Sequence, residues 1–344
     1  MKKRRVLLLV AKSLVPPDDV GGLSAADVDE FRTEHDVLLA LRRCGHEVRV
    51  VGVGDDLTNL REAIDEWRPH VVFNLLDEFA GIISYDHYVV AYLELLRQRY
   101  TGCNPRGMML SRDKVLTKRV LASHGVATPA FTLFPFGRRF RAPAHVEFPL
   151  FVKSATEDAS LGISQASIVT DKAQLKQRIQ FVHDQVQTDA LVEEYIEGRE
   201  LYVGVMGNDR LTRLPVWEMK FGSLPETSAG IATRRVKWDK KYQKKHGIDT
   251  HEAKDLPPAV VARLDKLSRR VYRSLGLSGC ARIDYRMNAE GQIYVIEANP
   301  NPNLAAEEDF AQSAKAAGVS YLELLEKLLT LGAGYQAEWR AYYG

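Results

Sequence analysis

Apolar residues follow two rhythms over the first hundred positions. Residues 6–10 are continuously apolar, the pattern of a strand covered on both faces. Residues 47–53 are rich in β-branched side chains, and 71–75 reads as another strand. In 37–43, 57–67 and 85–99 the apolar positions recur every three or four residues, as on an amphipathic helix. Strand and helix in alternation predict βαβ units and a parallel sheet. Residues 18–26, with Gly21 and Gly22, break the rhythm and read as a mobile loop.

The rhythm then changes. Ser111 is read as the N-cap of a helix over 112–124 that Gly125 closes. Residues 138–149, rich in arginine and proline, read as a connector. A strand over 148–153 enters a loop of small polar residues, 154–162, and 163–170 reads as the returning strand. A helix over 172–185 and a strand over 190–195 follow. Residues 199–206 and 211–219 predict antiparallel strands, 222–250 is irregular and basic, and 257–275 is a long helix. Residues 280–287 and 292–298 form a hairpin across 288–291, and two helical patterns follow it.

Composition narrows the class. Of the 344 residues, 45% are hydrophobic and 27% charged, which excludes a wholly disordered or fibrous chain. Lys and Arg number 47 against 45 Asp and Glu, so the net charge of +2 exerts no general pull on nucleic acid or anionic lipid. Cys44, Cys103 and Cys280 are far apart with no CxxC, so a disulfide framework is not expected and a reducing cytoplasm fits. The apolar run after the basic start is cut by Lys12, too soon for a secretory leader. No stretch nears the roughly 18 apolar residues of a membrane span. A cytoplasmic location without membrane partners is therefore expected.

The hairpin carries the most chemistry. With its turn centred on Ala289 and Glu290, Asp284 lies opposite Val295 and Arg282 opposite Glu297. Strand alternation puts Arg282, Asp284, Glu297 and Asn299 on one face, and Ala281, Ile283, Tyr285, Tyr294, Ile296 and Ala298 on the other. Two carboxylates and an amide oxygen suit a hard cation such as Mg2+. The alternative is a surface ion-pair ladder. Pro300 and Pro302 stiffen the following chain and favour an ordered site.

Three other segments carry weaker signals. Lys153 at a strand end, followed by the 154–162 loop, offers backbone N–H groups to phosphates, although GxxxxGK[ST] is absent. In isolation it reads equally as a solvated hairpin. Residues 191–200 offer strand-edge groups to adenine and carboxylates to ribose, or are simply an acidic turn. Arg234, Arg235, Lys237, Lys240, Lys241, Lys244 and Lys245, interleaved with Trp238 and Tyr242, suit nucleic acid, a cover over phosphates, or a solvated face. GxSxG and HExxH are absent, and Leu57 stands where a dinucleotide fingerprint needs its third glycine.

Taken in order, these segments resemble the ATP-grasp superfamily, in the branch of the D-alanine–D-alanine ligases. The motifs are Ser-Arg-Asp-Lys at 111–114, Phe-Val-Lys at 151–153, Glu-Glu-Tyr-Ile at 193–196, Gly-Arg-Glu at 198–200, Val-Lys-Trp at 236–238, Ala-Arg-Ile-Asp at 281–284 and Glu-Ala-Asn at 297–299. The resemblance spans about 110–304, with a looser match before it. It implies an α/β (α+β) protein: an N-terminal parallel-sheet, pre-ATP-grasp domain over 1–110, a small central lobe over 111–199, and a C-terminal lobe with the metal site over 200–344.

The resemblance also implies roles. Lys114 and Lys153 contact ATP phosphates, and Ser160 also binds the nucleotide. Backbone groups of Glu194 and Ile196 read adenine, with Glu193 near its amino group, and Glu200 holds ribose. Lys237 reaches the terminal phosphate. Asp284, Glu297 and Asn299 bind two Mg2+ ions, with Mn2+ an accepted substitute, and Arg282 stabilises the tetrahedral intermediate. The implied reaction joins an amino-acid or peptide carboxylate to an amine through an acylphosphate, with ADP released.

The amino-acid half departs from the family pattern. Ala159, Trp238, Asn303 and Glu307-Glu308-Asp309 stand where the D-alanine ligases use other residues, and segments 18–29 and 77–87 lack their motifs. An acid or amine other than D-alanine is therefore expected, and the acidic triplet suggests a cationic one. A homodimer is left open. A nucleic-acid-binding protein using 234–245 and a non-catalytic nucleotide-binding regulator are the alternatives. The net charge argues against the first and the intact Arg282, Asp284, Glu297 and Asn299 set against the second.

Overall fold

The computed structural model describes residues 3–138, 140, 147–157, 162–222, 230–233, 236 and 239–337. Its first sheet is parallel, in the order β2 (Glu47–Val53), β1 (Arg5–Ala11), β3 (Val71–Asn74). The continuous apolar run explains the central place of β1: Val6, Leu7, Leu8, Leu9 and Val10 are all fully buried. Helices α2 (Arg32–Arg43) and α3 (Thr58–Trp67) make the crossovers.

The departures from expectation here are local. Within the expected loop, Ser24 and Asp27 form a reciprocal capping box that starts the short helix α1 (Ala25–Glu30). Helix α4 (Asp86–Leu95) stops early because the chain turns back beside β3: Val72 N–H donates to the Arg99 carbonyl and Thr101 N–H to the Val72 carbonyl. Ser111 is not an N-cap. Asn104 and Pro105 start helix α5 (Pro105–Arg112) upstream, which buries Ser111, and Asp113 caps α6 (Lys114–Ser123) by accepting from Val115 and Leu116 N–H.

The second sheet runs β4 (Phe131–Phe134), β7 (Ala190–Glu194), β5 (Leu150–Ser154), β6 (Ile168–Val169), with α7 (Lys172–Phe181) packed on it. The returning strand expected over 163–170 contracts to β6, because Ser164 and Ser167 cap each other around a tight turn.

The third sheet is antiparallel, in the order β10 (Asp249–Glu252), β9 (Thr212–Lys220), β8 (Arg199–Met206), β11 (Cys280–Met287), β12 (Ile293–Pro300). Strand β10 and helix α8 (Lys240–His246), which Asp239 caps, lie in the stretch expected to be irregular. Helix α9 (Pro258–Ser274) buries Leu264, Val271 and Tyr272 against this sheet.

Helices α10 (Asp309–Ala316) and α11 (Tyr321–Gly334) follow. The latter returns to the first sheet: Leu324, Leu325, Leu328 and Leu329 share one core with Val6, Leu8, Val37 and Phe73. Gly332 lies so close to the Tyr100 carbonyl that an added Cβ would sit 2.4 Å from it. Among the described residues, no helix is long and apolar enough to cross a membrane.

Helix α2 buries one acid. Glu34 is 5% exposed, and burial, with Asp77 nearby, pushes its carboxyl up to about 7. An unfolded glutamate ionises near 4.3, roughly. Between those pH values the folded chain holds a proton that the unfolded chain has lost, so this group's contribution falls as pH rises from about 4 to about 7. Glu34→Gln lacks that loss. Its urea midpoint should match wild type near pH 4 and exceed it at pH 8, by on the order of 3 kcal/mol in unfolding free energy. An unchanged difference between the two pH values would refute this.

Candidate active site

An open cleft lies between the second and third sheets. It gathers Lys114 from α6, Lys153 from β5, Glu193 and Glu194 from the end of β7, and Ile196 just beyond. Glu200 of β8, Asp284 of β11 and Glu297 of β12 complete the set. Residues far apart in sequence thus meet around one space. Arg282 and Asn299 sit beside it, both bonded to Asp284. Lys237 and Ser160, with Ala159, Trp238, Arg234 and Arg235, lie outside the described residues.

The hairpin register corrects the expected pairing. Arg282 lies opposite Asn299 and Asp284 opposite Glu297, whereas Tyr285 pairs with Val295. The shift between these pairs is a β-bulge that takes up Ile296. A bulge re-aims side chains, and here both Ile296 and Glu297 line the cleft. Ile296 was expected on the apolar face. The shared face of the four polar residues survives, because the bulge turns Glu297 towards Asp284.

The carboxylate edge is preorganised. Arg282 grips Asp284 with two bonds, Nε to Oδ1 at 2.8 Å and an Nη to Oδ2 at 2.9 Å. Its guanidinium also lies 4.8 Å from the centre of the Tyr202 ring. Burial pulls the Arg282 pKa down, but Asp284 outweighs it and holds the cation above its ordinary value. Asn299 Nδ2 donates to Asp284 Oδ2 at 3.1 Å and to Glu297 Oε1 at 3.4 Å. Turning that amide over would present its oxygen beside the two carboxylates.

The cleft floor holds a buried triad with a member the motifs did not single out. Lys118 Nζ lies 2.8 Å from Glu193 Oε1, and Lys153 Nζ 3.1 Å from Oε2. Lys118 is 1% exposed. Burial alone raises the Glu193 carboxyl, but the two lysines outweigh it and hold it below the usual carboxylate range. Burial pulls Lys118 below the ordinary lysine value despite Glu193. One carboxylate between two cations leaves the floor net positive beside residues 154–157. The signal for Lys118 was its spacing, four residues after Lys114 on one helix. Lys114 Nζ itself donates to the Glu157 carbonyl at 2.8 Å.

Next to Glu193 at the end of β7, Glu194 N–H is engaged by the Ala130 carbonyl at 2.8 Å. The Ile196 N–H has no partner among the described residues. Glu200 accepts from the Tyr202 hydroxyl at 2.7 Å and from Arg286 at 2.8 Å. Arg286 and Tyr202 were not singled out by sequence.

The acidic triplet does not reach the cleft lining. Glu307 and Glu308 are exposed, and Asp309 accepts from the Thr250 hydroxyl at 2.5 Å in the first turn of α10. Asn303 Oδ1 accepts from Thr33, which ties the loop after β12 to α2.

Comparison with known proteins identifies the family and the fold. The family described as "D-ala D-ala ligase C-terminus" matches residues 120–330, more than half of the chain. A D-alanine–D-alanine ligase of Syntrophotalea carbinolica is 32% identical, covering 90% of this chain and 93% of its own. An uncharacterised protein, y4sG, of Sinorhizobium fredii is 31% identical over 91% of this chain and 89% of its own. A crystal structure of the Bacillus anthracis D-alanine–D-alanine ligase complexed with ATP shares the fold, with a TM-score of 0.73, 20% identity, and coverage of 99% and 100%. This chain therefore belongs to the D-alanine–D-alanine ligase-like branch of the ATP-grasp superfamily, ATP-dependent and ADP-forming ligases that make a peptide bond.

Proposed function

We propose that the cleft binds Mg-ATP and joins the carboxylate of an amino acid or peptide to an amine through an acylphosphate. The observation that carries this reading is the meeting of Lys114, Lys153, Glu200, Asp284 and Glu297 around one cleft. In it the chain divides into working units at 1–110, 111–199 and 200–344, and cytoplasm is the compartment it fits.

The donor set suits Mg2+. Among the described residues, no group of three or more His, Cys, Asp or Glu could hold a metal ion. What exists is two carboxylates and an amide, hard oxygen donors that leave room for water and phosphate oxygens. Asp284, Glu297 and Asn299 would hold two ions, Mg2+ or Mn2+, which would neutralise charge on the phosphates.

Lys114 and Lys153 bind phosphate oxygens in this reading, and Lys237 reaches the terminal one. Ser160 is a further nucleotide contact in this reading. Ile196 N–H faces the adenine, Glu193 sits below it, and Glu194 flanks it. A substrate carboxylate oxygen attacks the γ-phosphorus, the bond to the β–γ bridging oxygen breaks, and ADP leaves. The amine nitrogen then attacks the acyl carbon, the bond to phosphate breaks, and the amine loses a proton. Arg282 faces the developing oxyanion. Only two of its five N–H donors are engaged by Asp284, so others remain for that oxygen.

The basic stretch 234–245 fits as a cover on this cleft. Val236 and Tyr242 pack with Tyr202 and Met219 in one small core, and the Tyr202 hydroxyl holds Glu200. That anchorage supports contact with phosphates rather than nucleic acid.

The test is phosphate release from Mg-ATP over a panel of amino acids and short peptides. Release should require both an acid and an amine, stop with EDTA, and return with Mg2+ or Mn2+. ATP binding with no release for any pair would favour a nucleotide-binding regulator instead.

A further inference from the structure

Arg286 has no role in the chemistry above, yet it lines the cleft and is only 7% exposed. A guanidinium is buried to that extent only where its donors are met, since desolvating it costs several kcal/mol. Strand alternation on β11 puts it on the same face as Asp284, and the β8 pairing sets it opposite Glu200. One Nη donates to Glu200 Oε2 at 2.8 Å and to the Gly230 carbonyl at 2.6 Å. The other donates to the Gly198 carbonyl at 3.1 Å. The Tyr195 ring centre lies 6.0 Å from the guanidinium carbon.

One cation thus ties together three walls of the cleft: the turn between β7 and β8, Glu200 itself, and the segment in which Ile231 and Ala232 face the space. A neutral donor could satisfy the two carbonyls. Compensating a carboxylate's charge while fixing it in one orientation needs the cation. The Tyr202 hydroxyl takes the other oxygen of Glu200 at 2.7 Å. A carboxylate has about four acceptor sites, so two acceptor positions remain in a defined place. Two adjacent hydroxyls are what a ribose offers.

We propose that Arg286 is a positioning residue for the nucleotide ribose. It fixes Glu200 so that its remaining lone pairs accept from the ribose hydroxyls, and it holds the Gly230 segment against the same end of the cleft. This deepens the proposal above and rests on the cleft being the ATP site.

The test compares binding of ATP, 2′-deoxy-ATP and 3′-deoxy-ATP, each with Mg2+, to the full chain by calorimetry. Wild type should bind ATP more tightly than at least one deoxy analogue by about 10- to 100-fold, the range of a hydrogen bond to a charged group. Arg286→Met should weaken ATP binding about 10-fold and bring that ratio close to one. Glu200→Gln should do the same, and the double variant should lose no more discrimination than either single one. Arg286→Lys keeps the charge but cannot span all three acceptors, so its ratio should fall between wild type and Arg286→Met. It also keeps the test open should the methionine variant fold poorly. An unchanged ratio in Arg286→Met or Arg286→Lys, with all three nucleotides weakened equally, would reduce Arg286 to a structural prop and overturn the inference. So would a wild type that binds ATP without discriminating against either analogue. A wild type that binds no nucleotide would instead overturn the reading of the cleft.

Discussion

Glu297→Gln is expected to lower ADP release at least about 10³-fold while ATP binding stays within a few-fold of wild type. Glutamine has the same shape and can still accept from Asn299, so the hairpin should fold unchanged. What it lacks is charge. The bulge at Ile296 exists to bring this carboxylate opposite Asp284, and the pair with Asn299 supplies every protein oxygen proposed for the metal. A divalent ion contributes several kcal/mol to the charge developing in phosphoryl transfer, and about 4 kcal/mol corresponds to the fold-change above. Glu297→Asp retains the charge at a shorter reach and should be intermediate. Steady-state ADP release and a nucleotide titration together decide the matter. Full turnover in Glu297→Gln would remove the metal assignment.

The largest expected loss of stability is in Glu193→Gln. Its carboxylate lies between Lys118, 1% exposed, and Lys153, 4% exposed, and forms an ion pair with each. Removing one partner of a buried ion pair typically costs about 3–5 kcal/mol, because the remaining charge stays buried and uncompensated. The effect has a definite pH shape. In wild type the Glu193 carboxyl is held below its ordinary value, so its contribution is complete above the unfolded value of about 4.3 and is lost as pH falls through the lower folded value. At the alkaline end, burial holds Lys118 below the ordinary lysine value, so rising pH discharges it while folded and relieves the variant. The gap between wild type and Glu193→Gln should therefore be widest near neutrality and narrow towards both extremes. Urea unfolding from pH 3 to pH 10 measures it, and a gap that does not change with pH would contradict the triad. Lys118→Met leaves a one-to-one pair of Glu193 and Lys153, and should cost less.

Local pattern decided a good deal of this molecule in advance. The apolar run of β1, the strands β8, β9, β11 and β12 of the third sheet and the alternation that groups Arg282 with Asp284 need only neighbours a few residues away, so they are legible in one dimension. So is the motif order, since each motif is contiguous. Capping competition was less legible: Ser111 and Asp113 both suit an N-cap, and only the Asn104–Pro105 start of α5 selects between them.

Other features depended on partners remote in sequence. The bulge at Ile296 comes from how β12 pairs with β11, not from its own composition. Lys118 looks like any helix-surface lysine until β7 places Glu193 beside it. Arg286 gains its meaning only when β8 and the Gly230 segment arrive at its guanidinium. Helix α11 looks like an ordinary amphipathic end until it covers the first sheet. Periodicity states which face of an element is apolar or charged. Which charges share a desolvated space is set by packing between distant segments, and desolvation is what makes those few contacts strong.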